Sequence, residues 1–191
     1  MQDNDKHLVV LVGPPGSGKS SLAKSMANKY LWISQDIMGK QGHLDHFKLG
    51  LEAKMNIVID RMNFSGEQRE RYLAPAKEAG YRTTIITFFT PYQVCLDRCL
   101  KRQGNPTIQN EESAKSALHT FFSKFERPKQ YEADEIIYES YSTHYSNNIC
   151  ANAPKFTLAR AFWCGWTDSN RHACAHAPQT CVSTSFTTSA L

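Results

Sequence analysis

The chain has 191 residues, 22 basic and 18 acidic side chains, a formal net charge of +4 at pH 7, and 41% hydrophobic residues. That length supports one domain with a proper core, and the mild positive charge admits a nucleic-acid partner without demanding one. No apolar run approaches 18 residues and residues 1–6 are polar, so neither a transmembrane helix nor a secretory signal is expected. A cytoplasmic location is expected, with the six cysteines as reduced thiols.

Leu8, Val9, Val10, Leu11 and Val12 form an apolar run that predicts a buried strand. Directly after it, Gly13, Pro14, Pro15, Gly16, Ser17, Gly18, Lys19 and Ser20 complete the pattern G-x-x-x-x-G-K-[ST]. A helix-forming stretch follows over residues 21–27. This strand–loop–helix context is what a phosphate-binding loop requires. Its glycines let backbone N–H groups turn inward, and the helix N-terminus adds partial positive charge. Lys19 is placed to reach the β- and γ-phosphates of ATP, and the Ser20 hydroxyl to take a Mg²⁺ coordination position.

Further along, residues 31–34 predict a short strand ending at Gln35 and Asp36, and a helix is predicted over 44–54. Residues 56–60 read as a buried strand ending at Asp60. A helix is predicted over 66–79, closed by Gly80. Pro75 inside it predicts a kink or a late start. Residues 83–89 predict a strand rich in β-branched and aromatic residues. A helix over 91–102 has Pro91 near its first turn, Gly104, Asn105 and Pro106 break the chain, and a second helix covers 111–125. Glu135, Ile136, Ile137 and Tyr138 predict a last strand.

Repeated β–α units imply a three-layer α/β fold of the P-loop NTPase type. It has a parallel sheet flanked by helices and a helical lid. Ligands in such folds bind at the carboxyl ends of the strands, so the loop 13–20, Asp36, Asp60 and the loop after Phe89 should converge on one crevice. Phosphoryl transfer needs a carboxylate to take the acceptor proton and another near the metal or substrate. Asp36 and Asp60 suit these roles, against the alternatives of helix capping and loop hydrogen bonding. Arg98 and Arg102 share a helix face and are candidates to neutralise charge on the transferred group. A solvated basic face shared with Lys101 is the alternative. Cys95 and Cys99 are expected to pack into the core.

The chain changes character near residue 140. The last 51 residues hold four charged side chains, Lys155, Arg160, Asp168 and Arg171, and four of the six cysteines. Residues 1–140 therefore read as the kinase domain. Residues 141–191 read as an irregular or non-native extension, such as a frameshifted end. The cluster Phe162, Trp163, Cys164, Gly165 and Trp166 could anchor on the domain. Cys164, His172, Cys174, His176 and Cys181 fit no standard zinc spacing.

The loop 13–20, the segment 34–39 and the segment 58–63 (Val58, Ile59, Asp60, Arg61, Met62, Asn63) resemble successive motifs of the 5′-polynucleotide kinase domain. The likeness continues through Arg71 and Tyr72, residues 76–81, Phe88-Phe89-Thr90 and residues 125–128 to Ile136 and Ile137. It covers about residues 7–140. The resemblance implies Mg·ATP-dependent transfer of the γ-phosphate to a 5′-hydroxyl of DNA or RNA. It implies Asp36 as general base, Asp60 and Asn63 in substrate binding, and Arg98 and Arg102 as lid arginines. Gln35 stands where the family often has Arg, and Arg61 and Met62 depart from its usual residues after the third strand. No phosphatase signature is present. A small-molecule kinase on the same scaffold, or a non-catalytic nucleotide-binding module, are the alternatives. Trp32, Lys40, Arg61, Arg69 and Arg71 mildly favour a nucleic-acid acceptor. Neither a membrane nor an obligate protein partner is expected.

Overall fold

The computed structural model describes residues 6–102, 108 and 110–141. In chain order the elements are β1 (His7–Val12), α1 (Lys19–Met26), β2 (Leu31–Ser34), α2 (Gln35–Glu52) and β3 (Ile57–Asp60). They continue with α3 (Gly66–Glu78), β4 (Arg82–Phe89), α4 (Tyr92–Lys101), α5 (Glu111–Lys124) and β5 (Glu135–Ser140). The strands form one sheet in the order β2-β3-β1-β4-β5, with every neighbouring pair parallel. A parallel sheet hides both faces under helices, which is why β1 and β3 read as unbroken apolar runs.

Alternation along β1 divides the core. Leu8, Val10 and Val12 pack with Phe47 of α2 and Tyr72, Leu73 and Ala76 of α3. Val9 and Leu11 face the other way, toward Ala23 of α1. A third cluster joins α4 to α5 through Cys95, Leu96, Cys99, Ala114 and Leu118. Both cysteines are free and buried, as core residues of this kind usually are.

Helix ends follow local chemistry. Ser65 caps α3 by accepting from the Gln68 N–H at 3.3 Å. At its other end Gly80 takes φ +74°, while its N–H bonds to Lys77 O and that of Tyr81 to Ala76 O, both at 2.9 Å. This is the Schellman closure that a following glycine permits. Helix α3 begins at Gly66, so Pro75 causes no late start and lies in its last turn. Helix α2 begins nine residues before the predicted Leu44, directly after β2. It is two helical segments joined at Gly39, whose φ of +76° and ψ of 178° lie outside the helical region. A side chain is strained in that conformation, so glycine is what makes the join possible. No helix among the described residues is long and apolar enough to cross a membrane. The break at residues 104–106 and the whole of 142–191, including the aromatic cluster and the candidate zinc ligands, lie outside the described residues.

Candidate active site

The loop of residues 13–20 leaves the carboxyl end of β1 and enters α1. Its start is tied to the segment after β3 by the Gly13 N–H to Met62 O bond at 3.1 Å. Its tip lies against α4: a Cβ on Gly16 would stand 2.5 Å from Cys95 O, closer than any real contact. Glycine at this position lets the loop and α4 approach. Gly18 holds the N-cap of α1 in a left-handed conformation.

Inside this cradle Lys19 is buried, 7% exposed. Its Nζ donates to Pro14 O at 2.7 Å and to Ser17 Oγ at 3.3 Å. Burial lowers its pKa from 10.5 to about 8, opposed chiefly by the Asp60 charge and then by Cys95, Asp36 and Cys99. Asp60, the last residue of β3, is 6% exposed. It accepts from the Trp32 indole N–H at 3.3 Å, and the Ser20 hydroxyl lies close enough to favour its charged form. Burial raises its pKa, while the Ser20 hydroxyl, the Lys19 charge and the Trp32 bond work the other way. Lys19, Ser20 and Asp60 thus lie near one another at the sheet edge, the Lys19 and Asp60 charges acting on each other without a direct bond. The hydroxyl and carboxylate oxygens are the hard donors that Mg²⁺ prefers.

Asp36 occupies the first turn of α2. Because Ser34 pairs with Asp60 in the parallel register, the chain leaves β2 and β3 side by side. That brings Asp36 to the edge where Asp60 stands, and its charge bears on both Lys19 and Asp60. The expected convergence of loop, Asp36 and Asp60 is therefore present.

The other site residues are placed differently. Asn63 is fully buried at 0% exposed. Its Nδ2 donates to Leu11 O at 2.8 Å, and its φ is +47°. With no surface to offer a substrate, Asn63 ties the segment after β3 to β1. Arg98 is half-buried on α4, donates to Gly16 O at 3.2 Å and lies 5.2 Å from the Tyr141 ring centroid. It braces the outside of the loop. Arg102, at the exposed C-cap of α4, does not accompany Arg98 onto that carbonyl. Arg69 is not a surface residue for nucleic acid: it is 0% exposed and paired with Glu132 at 2.6 Å.

Two parts of the site had no sequence signal. One is the Trp32 contact with Asp60, made across neighbouring strands. The other is a chain of hydrogen bonds from Arg61 through Tyr72 and His43 to Gly39.

A parallel five-stranded sheet with a complete phosphate-binding loop after its central strand, and two aspartates at the adjoining strand ends, defines a P-loop domain. Residues 8–128 match the AAA_33 family, described as an AAA domain. The chain belongs to that family. No curated protein matches the sequence. Among solved structures, the chain is similar to Kti12 of Chaetomium thermophilum in complex with ADP-AlF3. Identity is 16%, coverage 70% of this chain and 89% of that one, and the TM-score 0.51. It is also similar to a sugar kinase from Janibacter sp. HTCC2649, with 16% identity, 71% and 85% coverage and a TM-score of 0.52. At these identities the likeness is one of fold.

Proposed function

We infer that the chain is an ATP-dependent phosphotransferase acting on an alcohol. The observation that carries this reading is the placing of buried Lys19 and Asp60 within reach of each other's charge, with Ser20 beside Asp60 and Asp36 at the same strand edge. The loop N–H groups and Lys19 hold the phosphates of ATP. Lys19 exchanges its bond to Pro14 O for phosphate oxygens. Ser20 and Asp60 would hold Mg²⁺, directly or through its waters, and the ion would supply charge neutralisation on the phosphates. Asp36 takes the acceptor proton as the acceptor oxygen bonds to the γ-phosphorus. The bond from that phosphorus to the bridging oxygen breaks, and its electron pair leaves with ADP. Arg98 steadies the loop through Gly16, and Asn63 acts through packing.

Two acceptors fit. A small alcohol, such as a sugar, is supported by the sugar kinase that shares this fold. The 5′-hydroxyl of DNA or RNA is supported by the ordered resemblance over residues 7–140, and it is the second reading because Arg69 no longer counts toward a nucleic-acid surface. The intact Lys19, Ser20 and Asp36 speak against a non-catalytic module. Incubation with γ-labelled ATP and a panel of sugars, nucleosides, 5′-hydroxyl DNA and 5′-hydroxyl RNA tests the reading. Label is expected in one class. Label in none, with ATP bound, refutes it.

A further inference from the structure

Two arginines near β3 are held in opposite ways. Arg69 spends its donors on the protein. Its Nε and Nη2 bond to the two Glu132 oxygens at 2.6 and 3.0 Å. Its Nη1 serves the carbonyls of Asn63, Phe64 and Glu126 at 3.0 to 3.3 Å. It is a structural cross-link with its charge matched.

Arg61 directly follows Asp60, at the corner where the register brings Asp36. It is half-buried. Its Nη1 donates at 2.9 Å to a neutral oxygen, the Tyr72 hydroxyl. The ion pairs among the described residues are Arg69–Glu132 and Lys115–Glu111, so Arg61 belongs to neither. Keeping a guanidinium half out of water without a carboxylate is costly unless something else completes it. Its planar fork has five donors and matches an oxyanion two bonds at a time.

The arginine is also fixed in place. Tyr72 is 0% exposed and His43 2%. Tyr72 Oη lies 2.9 Å from His43 Nε2, and His43 Nδ1 lies 2.9 Å from Gly39 O. The protons follow from what each group can do. A carbonyl only accepts, so Nδ1 carries the imidazole proton. A guanidinium only donates, so Tyr72 Oη accepts from Arg61 and gives its own proton to Nε2. His43 is neutral in this arrangement. Burial, with the charges of Arg61 and Arg71, holds its pKa down against the Gly39 bond. The chain of bonds ends at the Gly39 join, three residues past Asp36. One network therefore sets both the arginine and the segment that carries the aspartate.

We propose that Arg61 selects an acceptor bearing an oxyanion, a phosphate ester or a carboxylate, close to the hydroxyl that is phosphorylated. This rests on the kinase reading above and narrows it. Asp36 takes the hydroxyl, Arg61 takes the anion, and Arg61 has no part in the bond changes. The two sources of the anion are a nucleotide phosphate and a sugar acid.

The test uses the full chain with Mg·ATP and acceptor pairs that differ only in the anion: a nucleoside 3′-phosphate against the nucleoside, and gluconate against glucose. In one pair the anionic member is expected to have kcat/KM about 10- to 100-fold higher, the size of charge-assisted hydrogen bonding. The favoured pair identifies the source. Arg61→Gln should raise KM for the anionic member toward that of the neutral one, and Arg61→Lys should keep part of the preference because it keeps the charge. Equal use of both members of every pair, or an unchanged preference in folded Arg61→Gln, overturns the proposal and leaves the kinase reading standing. A protein that binds ATP but labels no acceptor overturns both.

Discussion

On the donor side of the crevice, Lys19 and Ser20 sit on one continuous loop, and Lys19 reaches only residues of that loop, Pro14 and Ser17. On the acceptor side, Arg61, Tyr72, His43 and Gly39 come from α2, α3 and the segment after β3, and are joined over 11 and 29 positions. The donor side holds a buried cation and a buried carboxylate whose charges act on each other. The acceptor side holds a cation with a hydroxyl for a partner. A site for a constant ligand can be closed and self-consistent. A site that chooses among acceptors leaves charge for the acceptor to complete.

Mutation separates the two sides most sharply at the reaction centre. Asp36→Asn keeps the side-chain shape but cannot take a proton, so turnover should fall roughly 10²- to 10⁴-fold while ATP affinity moves little. A loss of ATP binding of the same size would move Asp36 to the donor side. Lys19→Ala should suppress transfer through ATP binding as well, and both constants can be read from one titration series.

The next effect concerns the frame behind both halves. Glu132→Ala leaves Arg69 charged in the interior, where its side chain is 1% exposed. Breaking a buried pair in this way costs about 3–5 kcal/mol. Denaturant unfolding checks it. A change below about 1 kcal/mol would mean the Arg69 charge reaches water.

The donor side should also respond to pH. Lys19 has a folded pKa of about 8 against an ordinary 10.5. Below about 8 it is charged in both folded and unfolded chains, and the burial cost is fully present. Between those values only the unfolded chain holds the proton, so the Lys19 contribution to stability rises with pH. Bound phosphates favour the charged form. ATP affinity should therefore weaken above pH 8, by up to about tenfold per unit. Calorimetric titration with ATP at pH 7, 8 and 9 measures it, and a flat profile would show that Lys19 stays charged without ligand.

The smallest expected signal sharpens the acceptor side. For a polynucleotide, affinity should fall with salt, with a logarithmic slope of about 0.7 per phosphate neutralised. A small acceptor that meets only Arg61 should show a slope near one such contact. Acceptor KM at several salt concentrations decides between them.

Local pattern made much of this visible. The five strands, the loop of residues 13–20 and the two strand-end aspartates followed from apolar runs and a complete motif. Helix α2 was harder because Gly39 and Gly42 weaken its first turns, and its early start depends on the turn that Gly39 alone permits. Arg69 looked like a surface cation because its partner, Glu132, is 63 positions away. Sequence does not show that Asn63 is buried with its Nδ2 donating to Leu11 O.

By itself the sequence determined the parallel α/β architecture and the phosphate-binding loop. These rest on periodicity and on contiguous residues whose geometry is local. Tertiary structure alone decided which polar side chains pair with charged partners inside the protein and which do not. That division depends on desolvation and on partners from distant segments. It is why Arg69 became a buried cross-link and Arg61, eight positions earlier, kept its charge beside the strand edge.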